Sequence, residues 1–184
     1  MRAVFPAVAA LVVLPLAAAL TACDDPFGSG LELIRLDSMT LASLGGPSEI
    51  GATAVDVSVN NSPSFPELPS QAGNWDLQVR QTGATFYLVP NPGDGSFRGA
   101  GLLKTSHTIA NPGDAPRESD SYTRTAVAVA PGDAFYVQTR QANPQCQVTP
   151  KYGLVQVVSV SADSGTARLA VLSNQACNDE RLKP

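Results

Sequence analysis

The sequence predicts an all-β protein: a single antiparallel β-sandwich of about eight strands that follows a removable leader. Three observations lead there. Val, Thr and aromatic residues gather in short runs separated by Pro, Gly, Asn and Asp, some runs alternate apolar and polar residues, and nothing beyond the first 22 residues sustains a helical period. With 184 residues there is room for one domain of ordinary size. The domain is placed at 31–184, after a leader at 1–22 and a short tether at 23–30.

The elements follow in order. Leu31 to Leu36 is the first strand candidate. Ala52 to Val59 is the clearest, because Val55, Val57 and Val59 alternate with Asp56 and Ser58, which sends valines inward and acids and hydroxyls outward. Asn60 to Asn74 (NNSPSFPELPSQAGN) has three prolines and no period, and is read as a long surface loop. Trp75, Leu77 and Val79 alternate with Asp76, Gln78 and Arg80; Thr82-Gly83-Ala84 then turns the chain into Thr85 to Val89, which predicts a hairpin. Further strands are expected at Phe97–Lys104, Tyr122–Val129, Ala134–Gln141, Tyr152–Ser161 and Thr166–Leu172, the last two joined by Ala162-Asp163-Ser164-Gly165.

The motif Asn91-Pro92-Gly93-Asp94 recurs at Asn111-Pro112-Gly113-Asp114 and as Pro131-Gly132-Asp133. Pro and Gly supply the two central conformations of a tight turn, and the segments between the copies differ, so these read as strand connections rather than a repeat. The competing reading, Asp94, Asp114 and Asp133 converging on calcium, lacks a ligand ladder of the DxDxDG kind. No metal and no cofactor are expected.

The composition excludes several functions. There are 12 Lys and Arg against 16 Asp and Glu, a net charge of −4, which leaves no basic field for nucleic acid. The single His removes most metal and triad chemistry, and His107 reads as a surface residue whose neighbour Ser106 points to the other side of a strand. No nucleophile elbow, zinc-protease motif, phosphate loop or dinucleotide fingerprint occurs. Carboxylate pairs remain open, since sixteen acids offer many combinations; Glu118 and Asp120, two apart on an expected strand, are one.

Met1 to Ala22 holds one charge, Arg2, and then a long apolar run interrupted by Pro6 and Pro15, the layout of an export signal rather than of a stable spanning helix. It ends in Leu20, Thr21, Ala22 and Cys23. The tetrapeptide LTAC resembles the lipobox of bacterial lipoproteins, an aliphatic residue and two small ones before the cysteine that receives lipid. The resemblance covers only the first 23 residues. It implies cleavage before Cys23, a lipid (palmitate among its acyl chains) on that thiol, and residence in the cell envelope on the extracytoplasmic side of a bacterial membrane. Ordinary signal cleavage and an uncleaved anchor compete with it. Cleavage after Ala22 would place Leu20 where a small residue is wanted, and cleavage after Ala19 would leave a free thiol. Asp24 resembles an inner-membrane retention signal of one bacterial group. Two or three acyl chains, at about 0.8 kcal/mol per buried methylene, make such an anchor effectively permanent.

Lipidation of Cys23 leaves Cys146 and Cys177 as an even pair, and an exported chain permits a disulfide between them. In the proline-rich loop, Phe65 and Leu68 are candidate anchors for a partner, the competing reading being that they fold over the end of the sandwich. The body resembles no characterised family; its last segment, Gly165 to Asp179, is similar to the ends of uncharacterised bacterial exported proteins, which implies no activity. The expectation is a noncatalytic, lipid-anchored binding or structural module with an envelope protein or glycan as partner. An envelope hydrolase using a carboxylate pair is the alternative.

Overall fold

The computed structural model describes residues 34–47, 50–141, 146 and 149–183. The leader, Cys23, the tether, the first three residues of the first expected strand, and most of the loop around Cys146 lie outside the described residues.

Ten strands form two antiparallel sheets packed face to face. They are β1 (Ile34–Ala42), β2 (Ala54–Asp56), β3 (Ser62–Ser64), β4 (Leu77–Thr82), β5 (Thr85–Pro90), β6 (Gly101–Thr105), β7 (Val127–Val129), β8 (Ala134–Gln138), β9 (Tyr152–Ser161) and β10 (Thr166–Asn174). One sheet has the order β1-β10-β9-β8-β6, the other β3-β2-β4-β5-β7. The β-sandwich expected from the sequence is present.

Period-2 alternation explains the shared core. Val55 and Val57, Leu77 and Val79, Phe86 and Leu88 come from one sheet; Leu102, Phe135 and Val137, Val155 and Val157, Leu169 and Val171 come from the other. The first sheet is also covered on its outer face. There Tyr136, Tyr152, Leu154 and Leu172 pack with Ala115, Tyr122 and the fully buried Leu182 of the C-terminal tail. A strand buried on both faces shows a run of apolar residues instead of alternation, which is why β8 reads AFYVQ and β9 reads YGLVQVV.

Several boundaries differ from the sequence reading, each for a physical reason. β1 starts at Ile34 in the described residues and runs on to Ala42; it is an edge strand, so exposed Leu36 and the half-buried Asp37 and Met39 blur its pattern. The expected surface loop at 60–74 contains β3, reached through a tight turn in which Asn60 and Asn61 are both left-handed (φ 55° and 52°). Pro63 fits there because β3 is a sheet edge, where a missing N–H costs no ladder bond. Phe97–Ala100 is loop. The segment 122–129 is not one strand: Thr123 bridges Leu102 in the first sheet and Val127–Val129 pairs with β5 in the second, so the chain crosses between sheets. Glu118 and Asp120 sit at a 3-10 turn, Ser119–Ser121, and not on a strand.

Both expected hairpins form. Gly83 (φ 60°) turns β4 into β5 with Thr82 opposite Thr85, and Gly165 (φ 62°) closes β9 onto β10. Two of the three Pro-Gly-Asp segments turn as expected, with Gly93 and Gly132 at φ 80° and 92°, whereas Asn111–Asp114 forms no such turn. The two are held by their own side chains: Asn91 Oδ1 accepts the Gly93 N–H at 2.8 Å, and Asp133 Oδ2 accepts the Ala130 N–H at 2.9 Å. Among the described residues, no group of three His, Cys, Asp or Glu side chains is placed to hold a metal ion.

Candidate functional site

The two ends of the sandwich have different chemistry. At one end β2 and β8 finish and β4 and β9 begin, and four charged residues meet there: Asp56 closes β2, Asp76 precedes β4, Arg140 lies just beyond β8, and Lys151 precedes β9. All four are buried, Asp76 completely. The Arg140 guanidinium binds both oxygens of Asp56, at 3.1 and 2.8 Å, and also lies 3.1 Å from Asp76 Oδ1. Asp56 Oδ1 further accepts the Ser58 hydroxyl at 2.6 Å, and Asp76 accepts the backbone N–H groups of Ser58 and Arg140, each at 2.9 Å. Lys151 Nζ donates to the Ser58 carbonyl at 2.8 Å and to Gln175 Oε1 at 3.1 Å.

These positions correct the sequence reading, which sent Asp56, Ser58 and Asp76 to solvent. Alternation moved them off the valine face, but at the strand ends that direction leads under the neighbouring loops, where a second set of charges waits. Two acids and two bases balance, and hydrogen bonds replace most of the water they have left, Arg140 Nε remaining without a partner.

The two carboxylates titrate differently. Burial pushes the Asp76 carboxyl up, to about 6, and the nearby Asp56 charge adds to this. Asp56 is buried too, yet its hydrogen bonds and attraction to Arg140 hold it below the ordinary carboxylate range. The signs are therefore opposite. A raised carboxyl contributes stability that is full below its unfolded value and is lost as pH rises through about 6, whereas a lowered one contributes above its unfolded value and loses it on acidification. The cluster is expected to stabilise the fold most near pH 4 and progressively less as pH rises from there through about 6. Denaturation across pH 3–8 checks this: in Asp76→Asn the decline above pH 4 should disappear, and a decline that persists unchanged would refute the assignment.

A recess of about 510 Å³ opens beside this cluster, lined by Trp75, Asn91, Asp94, Phe97, Arg98 and Arg140 among others. Its polar groups serve the loops that form it. Trp75 Nε1 donates to the Ala72 carbonyl, Asn91 Nδ2 to the Trp75 carbonyl, and Asp94 Oδ1 accepts the Ser96 and Phe97 N–H groups. Arg98 donates to the Ser119 hydroxyl.

Cys146 and Cys177 are joined at this end by a disulfide, with Cα atoms 5.4 Å apart, as the sequence reading expected. Beside it the Asn178 N–H reaches the Pro150 carbonyl at 2.8 Å. His107 is exposed; its ring meets the Asn111 carbonyl (3.3 Å) and the Tyr136 ring (centroids 6.0 Å apart), and its backbone N–H reaches the Thr105 hydroxyl at 3.1 Å.

The opposite end is apolar. Ser43 and Leu44 follow β1, Gly51 and Thr53 precede β2, and Phe65, Glu67 and Leu68 follow β3; together they line a groove of about 430 Å³. Phe65 is 37% exposed, Leu68 48%, Leu44 37%, and Ile50, next to Gly51, 90%. The loop presenting Phe65 and Leu68 is stiffened by Pro63, Pro66 and Pro69 and by consecutive turns: Leu68 N–H to the Phe65 carbonyl, Gln71 N–H to that of Leu68, Asn74 N–H to that of Gln71. Gln71 Oε1 also accepts the Phe65 N–H at 2.9 Å. Phe65 and Leu68 therefore do lie together at one end of the sandwich, without being covered by it. Leu44 and Ile50 went unnoticed in the sequence because they belong to a separate connection between the sheets; the ends of β1 in one sheet and of β2 and β3 in the other bring Leu44 alongside.

No protein-family model, no curated protein and no solved structure matches the chain. The fold and its two ends define its class: an all-β two-sheet sandwich with one end locked by buried charges and a disulfide, the other an open apolar groove.

Proposed function

We propose that the chain is a lipid-anchored, noncatalytic binding module of a bacterial cell envelope, held by lipid on Cys23 and binding a protein partner through the Phe65 and Leu68 loop. The observation that carries the binding role is the apolar groove. Three of the large apolar side chains left exposed among the described residues, Leu44, Phe65 and Leu68, line it, and exposed Ile50 precedes its Gly51. Gathered exposure of this kind marks interaction sites, while scattered apolar residues mean nothing. The rigid loop lowers the ordering cost of association.

Two further observations support the reading. The LTAC sequence ends an export-like leader and supplies the thiol that a lipid would occupy; no helix among the described residues is long and apolar enough to cross a membrane. The buried carboxylate pair, Asp56 and Asp76, is turned onto Arg140 beneath the surface, an arrangement that fixes the fold.

The test has two parts. Intact mass and N-terminal mapping of the chain from membranes should give Cys23 as first residue, carrying acyl lipid; a free Cys23 thiol overturns the anchor. The double variant Phe65→Ala, Leu68→Ala should melt within a few degrees of the parent, since partly exposed residues give up little burial. A loss of 3 kcal/mol or more would place both in the core and remove the motive for a docking role.

A further inference from the structure

β1 begins at Ile34, opposite Asn174 at the end of β10, whose other neighbour in the sheet is Tyr152 at the start of β9. This is the charged, disulfide-bonded end. The chain therefore leaves the sandwich for Cys23 at the end opposite the groove. Residues 24–33 reach at most about 35 Å when extended. A body hung from that end presents the groove away from the membrane.

Glu67 gives the groove its charge. It is exposed, and its Oε1 is fixed by two neutral donors, the Thr53 hydroxyl at 2.6 Å and Gln78 Nε2 at 3.2 Å. Arg80 donates to Gln78 Oε1 at 3.0 Å, so Gln78 stands between that cation and the carboxylate. Among the described residues no Lys or Arg forms an ion pair with Glu67. An apolar recess with a fixed, uncompensated carboxylate on its rim complements an apolar side chain with a cation beside it.

Resting on the binding-module reading above, we infer that the groove docks a segment of an envelope protein that presents an apolar side chain within one or two residues of a lysine or arginine. The apolar side chain sits between Leu44, Phe65 and Leu68, and the cation meets Glu67. Phe65 and Leu68 supply the affinity; Glu67 supplies orientation and a faster encounter, as rim charges do.

The experiment uses the full chain in its native membrane, with the photo-crosslinking residue p-benzoylphenylalanine at position Ile50, the exposed neighbour of the groove-lining Gly51, and, separately, at position Val158 on the face of β9. From Ile50 the expected product is one protein whose crosslinked peptide holds an apolar residue next to Lys or Arg. Leu68→Asp should lower its yield at least tenfold. Glu67→Gln, which keeps an oxygen for Thr53 and Gln78, should lower it several-fold and flatten its salt dependence. A product containing only a second copy of this chain, or only lipid or glycan, overturns the proposal, as does an unchanged yield in Glu67→Gln. A protein product from Val158 with none from Ile50 overturns the groove but leaves a binding module; none from either position in a chain carrying lipid on Cys23 overturns the binding module itself.

Discussion

Arg140→Met should destabilise the protein by about 3–5 kcal/mol, the range for removing one partner of a buried ion pair. The size follows from what is left behind. Asp56 and Asp76 would face each other with their shared guanidinium gone, each still stripped of water, and only Lys151 nearby as a cation. Lys151 does not take over, because its ammonium is committed to the Ser58 carbonyl and Gln175. The remaining carboxylates would take up protons, so the deficit should shrink as pH falls toward 4. Urea unfolding at pH 7 and pH 4.5 measures both quantities. A deficit below about 1 kcal/mol at pH 7 would mean that the cluster contributes little as a charged network. The companion variant Asp56→Asn, Asp76→Asn, Arg140→Met removes the charges together, and buried ion clusters replaced as a set can be nearly neutral. Its recovery relative to Arg140→Met alone separates the cost of orphaned carboxylates from the cost of lost packing.

The cluster also shows where the sequence was legible and where it was not. Strand identity came through wherever one face was buried and the other open: Leu77 and Val79 against Arg80, or the β9 to β10 turn at Gly165. It failed at β3, which is three residues long and hidden by Pro63, a residue that only an edge position admits; β2 falls inside the expected Ala52–Val59 but keeps only the three residues Ala54–Asp56 as strand. The charged cluster was invisible for another reason. Asp56, Asp76, Arg140 and Lys151 are spread over nearly a hundred residues and meet only because four strand ends coincide. Alternation correctly removed Asp56 from the valine face, but it carries no information about what covers the other face. The candidate groove was half legible: stiff, apolar Phe65 and Leu68 stood out in a proline-rich segment, whereas Leu44, Ile50 and the uncompensated Glu67 gain meaning only from sheet pairing.

Removing the disulfide as Cys146→Ser, Cys177→Ser is expected to cost about 3–4 kcal/mol. The bond spans a sequence separation of 31, and the chain-entropy relation for a loop of that size gives that range. The loss should be unevenly distributed. The tail beyond Cys177 is also held by the Ala115 N–H to the Glu180 carbonyl, by Asn174 Nδ2 to the Arg181 carbonyl, and by Leu182, which is fully buried with Tyr122, Tyr136 and Tyr152. Those contacts cover the outer face of the first sheet, apart from the core between the sheets. Without the bond, the tail can release that face while the inter-sheet core stays closed. Amide hydrogen exchange should therefore quicken first at the backbone of Ala115, Asn178 and the neighbouring tail, with Val55, Leu77 and Val155 protected until global unfolding. Uniform acceleration throughout both sheets would instead mean that the tail and the inter-sheet core form one cooperative unit. Stability unchanged within about 1 kcal/mol would mean that residual structure already restricts the unfolded chain without the bond.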